Sequence, residues 1–123
     1  MPRTRYDEAE EQQLHGFTFR SLARSAQGST ELAVWRIHAP ARAASPTHSM
    51  SHEEVFVIQS GTFVATVGDE QIEVGPGDCL TVPAETPFRL TNPFDQPAEA
   101  IACTRLGMAA TIDGQRMTPP WAR

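Results

Sequence analysis

The stretch EVFVIQSGTFVATVGDEQIEVGPGDCLTV, residues 54–82, decides the fold. Glu54 to Ile58 is a β-branched and aromatic run that ends in Gln59-Ser60-Gly61. Thr62 to Val67 is a second run, closed by Gly68-Asp69. Gln71 to Val74 is a third, and the turn Gly75-Pro76-Gly77-Asp78 leads into Cys79 to Val82. That turn needs positive φ at one of its glycines. Short β runs bounded by Gly, Pro and Asp predict an all-β sandwich or barrel. Strands this short do not each bury a face alone. Closing two sheets over one another buries both faces and removes most free edges.

The pattern extends in both directions. Downstream lie a loop from Pro83 to Pro87, a run from Phe88 to Leu90 and a late strand from Ala98 to Arg105. Upstream, Phe17 and Phe19 alternate with polar neighbours, and Leu32, Val34 and Ile37 surround Trp35. Pro40 to Pro46 is rich in Ala, Pro and Ser and reads as a loop. Residues 6–14 are polar, a short helix or a frayed end. Trp121, after Pro119-Pro120, is expected to be a lid packed on the barrel or on a partner subunit. The division that follows is an N-terminal extension 1–15, a barrel 16–110 and a tail 111–123.

With 123 residues, 40% of them hydrophobic, the chain is one ordinary globular domain. All ten basic residues are Arg; no Lys occurs. That excludes a Schiff-base lysine and a P-loop lysine together. A net charge of −5 and a pI near 5.3 argue against nucleic acid as a partner. No apolar run is long enough to span a membrane. Met1 to Glu11 has no hydrophobic segment of the signal-peptide kind, so a cytoplasmic location is expected. Cys79 and Cys103 each sit in an apolar stretch and are expected to be reduced and buried. No CxxC occurs.

The chemistry concentrates in Thr47-His48-Ser49-Met50-Ser51-His52-Glu53-Glu54. Two imidazoles and two carboxylates just before a strand suit a metal or an acid–base site. The same composition also suits a polar, solvated loop. Phe56, Ile58, Phe63 and Leu80 read as core, and Trp35 as core or dimer interface.

Two sets of anchors in this region resemble the motifs of the cupin superfamily, the small RmlC-like jelly-roll barrels. The first is His48-Ser49-Met50, then Glu54, then Gly61. The second is Gly77, then Pro83-Ala84-Glu85, Phe88 and Asn92. The resemblance covers the centre of the chain and implies an all-β cupin double-stranded β-helix, a jelly-roll barrel with a single domain. It also implies a homodimer and a small-molecule ligand in the barrel.

In metal-binding cupins, two histidines and a glutamate of the first motif and a histidine of the second hold one divalent ion. Carried over, His48 and Glu54 are retained, Met50 replaces the second His and Phe88 replaces the last. A thioether suits copper(I) rather than zinc or iron(II), and a phenyl ring is no ligand. Two readings stay open. In one, His52 completes a non-standard site of His48, His52 and Glu54 for zinc, iron, manganese or nickel. In the other no metal is bound, and Met50, Phe56 and Phe88 line an apolar pocket. His48 and Glu54 would then be either a catalytic acid–base pair or an inert structural one.

The resemblance implies a small-molecule-binding barrel, enzyme-like, acting on a partly apolar ligand by acid–base or metal-assisted chemistry of dioxygenase, isomerase or cyclase type. The alternative is a non-catalytic binding or sensing barrel with a decayed metal site. A sugar nucleotide is a poor ligand for a chain without lysine whose Arg89 points outward by strand alternation. No helix-turn-helix segment fits before Gly16.

Overall fold

The computed structural model describes residues 2–123, and they fold into a jelly-roll barrel of antiparallel strands. The strands are β1 Glu11–Leu14, β2 Phe17–Ala23, β3 Leu32–Ala39, β4 Ser49–Met50, β5 Glu54–Ser60 and β6 Phe63–Val67. They continue as β7 Glu70–Val74, β8 Cys79–Val82, β9 Phe88–Thr91, β10 Ala98–Arg105, β11 Ala110–Ile112 and β12 Gln115–Met117. One sheet has six strands in the order β1-β2-β3-β10-β5-β8. Two three-stranded sheets, β12-β11-β4 and β7-β6-β9, make up the rest. Among the described residues, no helix is long and apolar enough to cross a membrane.

Alternation along β10 explains how the barrel stays hollow. Ala98, Ala100 and Ala102 point inward with no exposed surface. Ala102 pairs with Trp35 on one side and Phe56 on the other, and Ala100 pairs with Ile37 and Ile58. A row of methyl groups in mid-sheet leaves room for the large side chains flanking it.

Two motif residues turn out to hold the frame. Gly61 has φ of +70°, and a Cβ there would lie 2.4 Å from the carbonyl oxygen of Pro97. Gly61→Ala is therefore expected to lower stability by about 2 kcal/mol or more, combining left-handed strain with a backbone clash. Urea unfolding measures this, and a loss below 0.5 kcal/mol, an ordinary surface effect, would contradict it. Asn92 is fully buried, and its Nδ2 donates to the carbonyls of Ala39, Pro40 and Gln96 at 3.2, 3.1 and 2.8 Å. Its Oδ1 accepts from the Phe94 N–H at 3.2 Å. One amide thus satisfies the backbone where β3 ends and where the segment leading to β10 begins.

Both termini pair with strands of the barrel. After a single 3-10 turn at Tyr6–Glu8, β1 pairs with β2 in register Glu11↔Arg20 to Leu14↔Phe17. The hairpin closes through His15 and Gly16, both at positive φ (53° and 83°). Arg20 fastens it, bonding Glu11 at 2.6 Å and lying over the Tyr6 ring at 4.3 Å. Polar residues such as Glu11 and Gln13 are tolerated there because β1 is the sheet edge. At the other end, β11 pairs with both β4 and β12.

The cysteines also differ from expectation. Both are free thiols, but Cys79 is exposed and Cys103 half-buried. On β8, Leu80 and Val82 point inward, so alternation sends Cys79 outward.

Candidate active site

A cavity of about 310 Å³ opens between the sheets. The six-stranded sheet supplies Phe17, Phe19, Trp35, Ile37, Glu54 and Phe56 from its inner face. The opposite wall is the β12-β11-β4 sheet together with Phe88 and Leu90 of β9. Register places Met50 and Met117 on either side of Ala110, and Met108 precedes it by two residues. All three methionines line the cavity, giving one wall a soft, adaptable surface. The β1–β2 hairpin contributes Gln12, Gln13, Leu14 and His15, and the C-terminus contributes Pro119, Pro120 and Trp121. The Trp121 ring stacks on Phe19 at 3.9 Å and 7°, so this end of the chain is a lid on its own barrel.

Glu54 sits at the start of β5, on the same inward face as Phe56 and Ile58. Only 3% of it is exposed, and Oε2 is buried with no hydrogen-bond partner. Desolvation alone pushes its carboxyl up to about 8. At neutral pH Glu54 is therefore a carboxylic acid with a proton to donate.

His48 is held by two backbone bonds to Phe88, its N–H donating at 2.9 Å and its carbonyl accepting at 2.7 Å. Its Nδ1 lies 3.0 Å from the carbonyl oxygen of Pro46. A carbonyl only accepts, so Nδ1 carries the hydrogen and the neutral ring leaves the Nε2 lone pair free. Burial lowers the His48 pKa; the Pro46 bond opposes this, and the charge of His15 adds to it. The ring meets Phe88 edge-on at 5.5 Å, and Phe88 continues to Phe56 at 5.3 Å. The pocket thus holds an acid that keeps its proton and a base that keeps its lone pair, a division of roles set by environment.

His48, Met50, Glu54, Phe56 and Phe88 all line the cavity, and His52 does not. The chain bends at Ser51-His52. The Ser51 hydroxyl accepts the Ala109 N–H at 2.8 Å and shares a hydrogen bond with Nδ1 of His52 at 2.8 Å. That bend breaks the alternation that would have put residues 48, 50, 52 and 54 on one face. Among the described residues no three His, Cys, Asp or Glu side chains form a group that could hold a metal ion. The donor set therefore does not fit the divalent ion of metal-binding cupins, since Met50 and Phe88 occupy two of its four positions.

Residues 35–104 match the family model described as a cupin domain, more than half of the chain. The chain is a cupin. Among solved structures, this cupin is similar to the polyketide cyclase RemF from Streptomyces resistomycificus: TM-score 0.77, 17% identity, covering 98% of this chain and 82% of that one. It is similar to a cupin-superfamily sugar phosphate isomerase from Silicibacter pomeroyi: TM-score 0.74, 19% identity, covering 93% and 83%. An RmlC-like cupin from Shewanella frigidimarina gives TM-score 0.71 and 18% identity, covering 85% and 94%. No curated protein sequence matches the chain.

Sequence reasoning missed His15, Met108 and Met117. His15-Gly16 between Leu14 and Phe17 was the available signal for a two-residue hairpin turn. Nothing local in the sequence tells that this turn folds over the pocket. Arg89 does point outward, as alternation required.

Proposed function

We propose that this cupin is a small-molecule enzyme that acts by metal-free acid–base chemistry, of isomerase or cyclase type, on a partly apolar organic ligand. One observation carries the reading. A buried Glu54 whose Oε2 has no hydrogen-bond partner, and a His48 whose Nδ1 faces the Pro46 carbonyl, line the same apolar cavity. The reaction types are those of two structural neighbours, a polyketide cyclase and a sugar phosphate isomerase. The Glu54–His48 arrangement suits the first proton transfer of either.

The test uses 5-nitrobenzisoxazole, an apolar probe whose ring opens on loss of one proton to a base. The protein is expected to accelerate the opening about 10²-fold or more, and His48→Ala to remove the acceleration. Equal rates for the parent and His48→Ala would sink the acid–base reading. Pocket binding without turnover would return the non-catalytic alternative.

The homodimer implied by the family is also proposed, in the cytoplasm. Its support is the solvent face of the six-stranded sheet, where half-exposed Val57 pairs with Cys79 and Ile101, and Val55 pairs with Cys103. Val57→Glu is expected to shift the species in sedimentation equilibrium from dimer to monomer. A parent chain that sediments as a monomer would overturn it.

A further inference from the structure

The ten arginines and the absence of lysine become informative at the pocket, because no arginine lines it. Its ionisable groups are Glu54, His48 and, at the mouth, His15. A phosphate or carboxylate buried here would lose its hydration and meet no guanidinium in exchange. A buried cation would have one carboxyl to meet it, Glu54, and ionising that group is opposed by its burial. The ligand that this lining accepts without such a penalty is uncharged.

Shape narrows it further. The stacked Phe19–Trp121 pair and the tilted Phe56–Phe88 pair make much of the lining aromatic, and the methionines adapt around whatever lies against these rings. Such walls favour a planar ring system. Glu54 and His48 ask for two features of that ligand. The Glu54 hydroxyl needs an acceptor oxygen, and His48 Nε2 needs an acidic hydrogen.

We infer that the pocket takes an uncharged, planar ketone with an acidic C–H beside its carbonyl, and that the first step is enolisation. This rests on the acid–base reading and names its substrate class. His48 Nε2 removes the proton from the α-carbon. The C–H electron pair becomes the C=C bond, and the carbonyl π pair takes the proton from Glu54 as a new O–H. One proton has moved from carbon to oxygen through two residues, leaving imidazolium and carboxylate. They return to the neutral pair when one proton passes back from His48 to Glu54. No oxidant, reductant or metal enters the balance. The enol can then be reprotonated elsewhere, an isomerisation, or attack a second carbonyl, a cyclisation.

The rate is expected to plateau across neutral pH. It falls on the acid side as His48 is protonated and on the alkaline side as Glu54 ionises near 8. The other titratable groups coupled to the pair are His15, which acts on His48, and Cys103 on β10, which feels Glu54.

The experiment follows hydrogen–deuterium exchange at C1 of 2-tetralone in D₂O by proton NMR, and compares its binding with that of 2-naphthoate, a planar anion of similar size. The protein is expected to raise the exchange rate about 10²-fold over buffer. His48→Ala should bring it close to buffer and the near-isosteric Glu54→Gln should lower it about tenfold, with circular dichroism confirming that both variants fold. 2-Naphthoate should bind more than tenfold more weakly than 2-tetralone. If the anion binds as tightly as the ketone, the substrate class is wrong and the acid–base reading stands. If 2-tetralone binds but does not exchange, or does not bind while 5-nitrobenzisoxazole is still opened, the ketone assignment falls alone. If the benzisoxazole is not opened either, both fall.

Discussion

Replacing Met50 and Phe88 together by histidine is expected to turn a chain that retains no zinc through dialysis into one that retains one Zn²⁺ per molecule. Both side chains face the cavity with His48 and Glu54 and are essentially fully buried. The double substitution would supply three imidazoles and a carboxylate where the parent offers one of each. Zinc sites keep at least three protein ligands, and the parent falls short of that. Elemental analysis after dialysis reads the stoichiometry. Bound zinc should also add about 2.7 kcal/mol of stability at a hundred times Kd. If the parent holds one equivalent of zinc, the donor argument is wrong, because a thioether and a phenyl ring would then not have closed the site. If the double variant folds and holds none, the four positions do not converge.

Glu54→Gln is expected to remove a steep fall in stability with rising pH. The unfolded chain ionises Glu54 above about pH 4.5, whereas the folded chain keeps the proton to about 8. The folded state thus binds one more proton across that window, and stability must fall as pH rises through it. The total is on the order of 5 kcal/mol, spread between pH 4.5 and 8. Glutamine has the same shape and does not ionise. At pH 5 the variant should match the parent or be slightly weaker, because it buries an unpaired amide. At pH 8 it should be several kcal/mol more stable. Urea unfolding at both values checks this, and the difference between the two proteins cancels the titration of every other group. Parallel stability curves for parent and variant would show that Glu54 is ionised and solvated in the folded protein. The acid role assigned to it would then fall as well.

Such a group is a burden on folding. A carboxyl with no donor facing it lowers stability over the neutral range. A leucine there would avoid that cost. Val82 pairs with Glu54 across β8 and β5, and Met50, Phe56 and Phe88 line the same cavity, so the carboxyl is surrounded by apolar side chains. The Glu54 carboxyl keeps its proton far above the usual range of a glutamate.

Much of this was written in the local sequence. Alternation along β5 follows from residue type, and the turns at Gly61 and Gly75-Pro76-Gly77 follow from backbone chemistry. The loss of two metal positions, Met50 and Phe88, was equally plain, because the motif spacing assigns each position its place. These features depend on residues a few positions apart. What the sequence left open depends on residues brought together from afar. His52 was a candidate ligand until the bend at Ser51-His52, held by a hydroxyl that bonds Ala109, turned it from the cavity. His15, Met117 and Trp121 reach the pocket only because a polar edge hairpin and the last strands fold over it. The ordering of proton affinities belongs to this second group. His48 and Glu54 as residue types would titrate in the opposite order. Burial among aromatic rings and methionines reverses them, and desolvation is a property of the closed barrel rather than of any stretch of its chain.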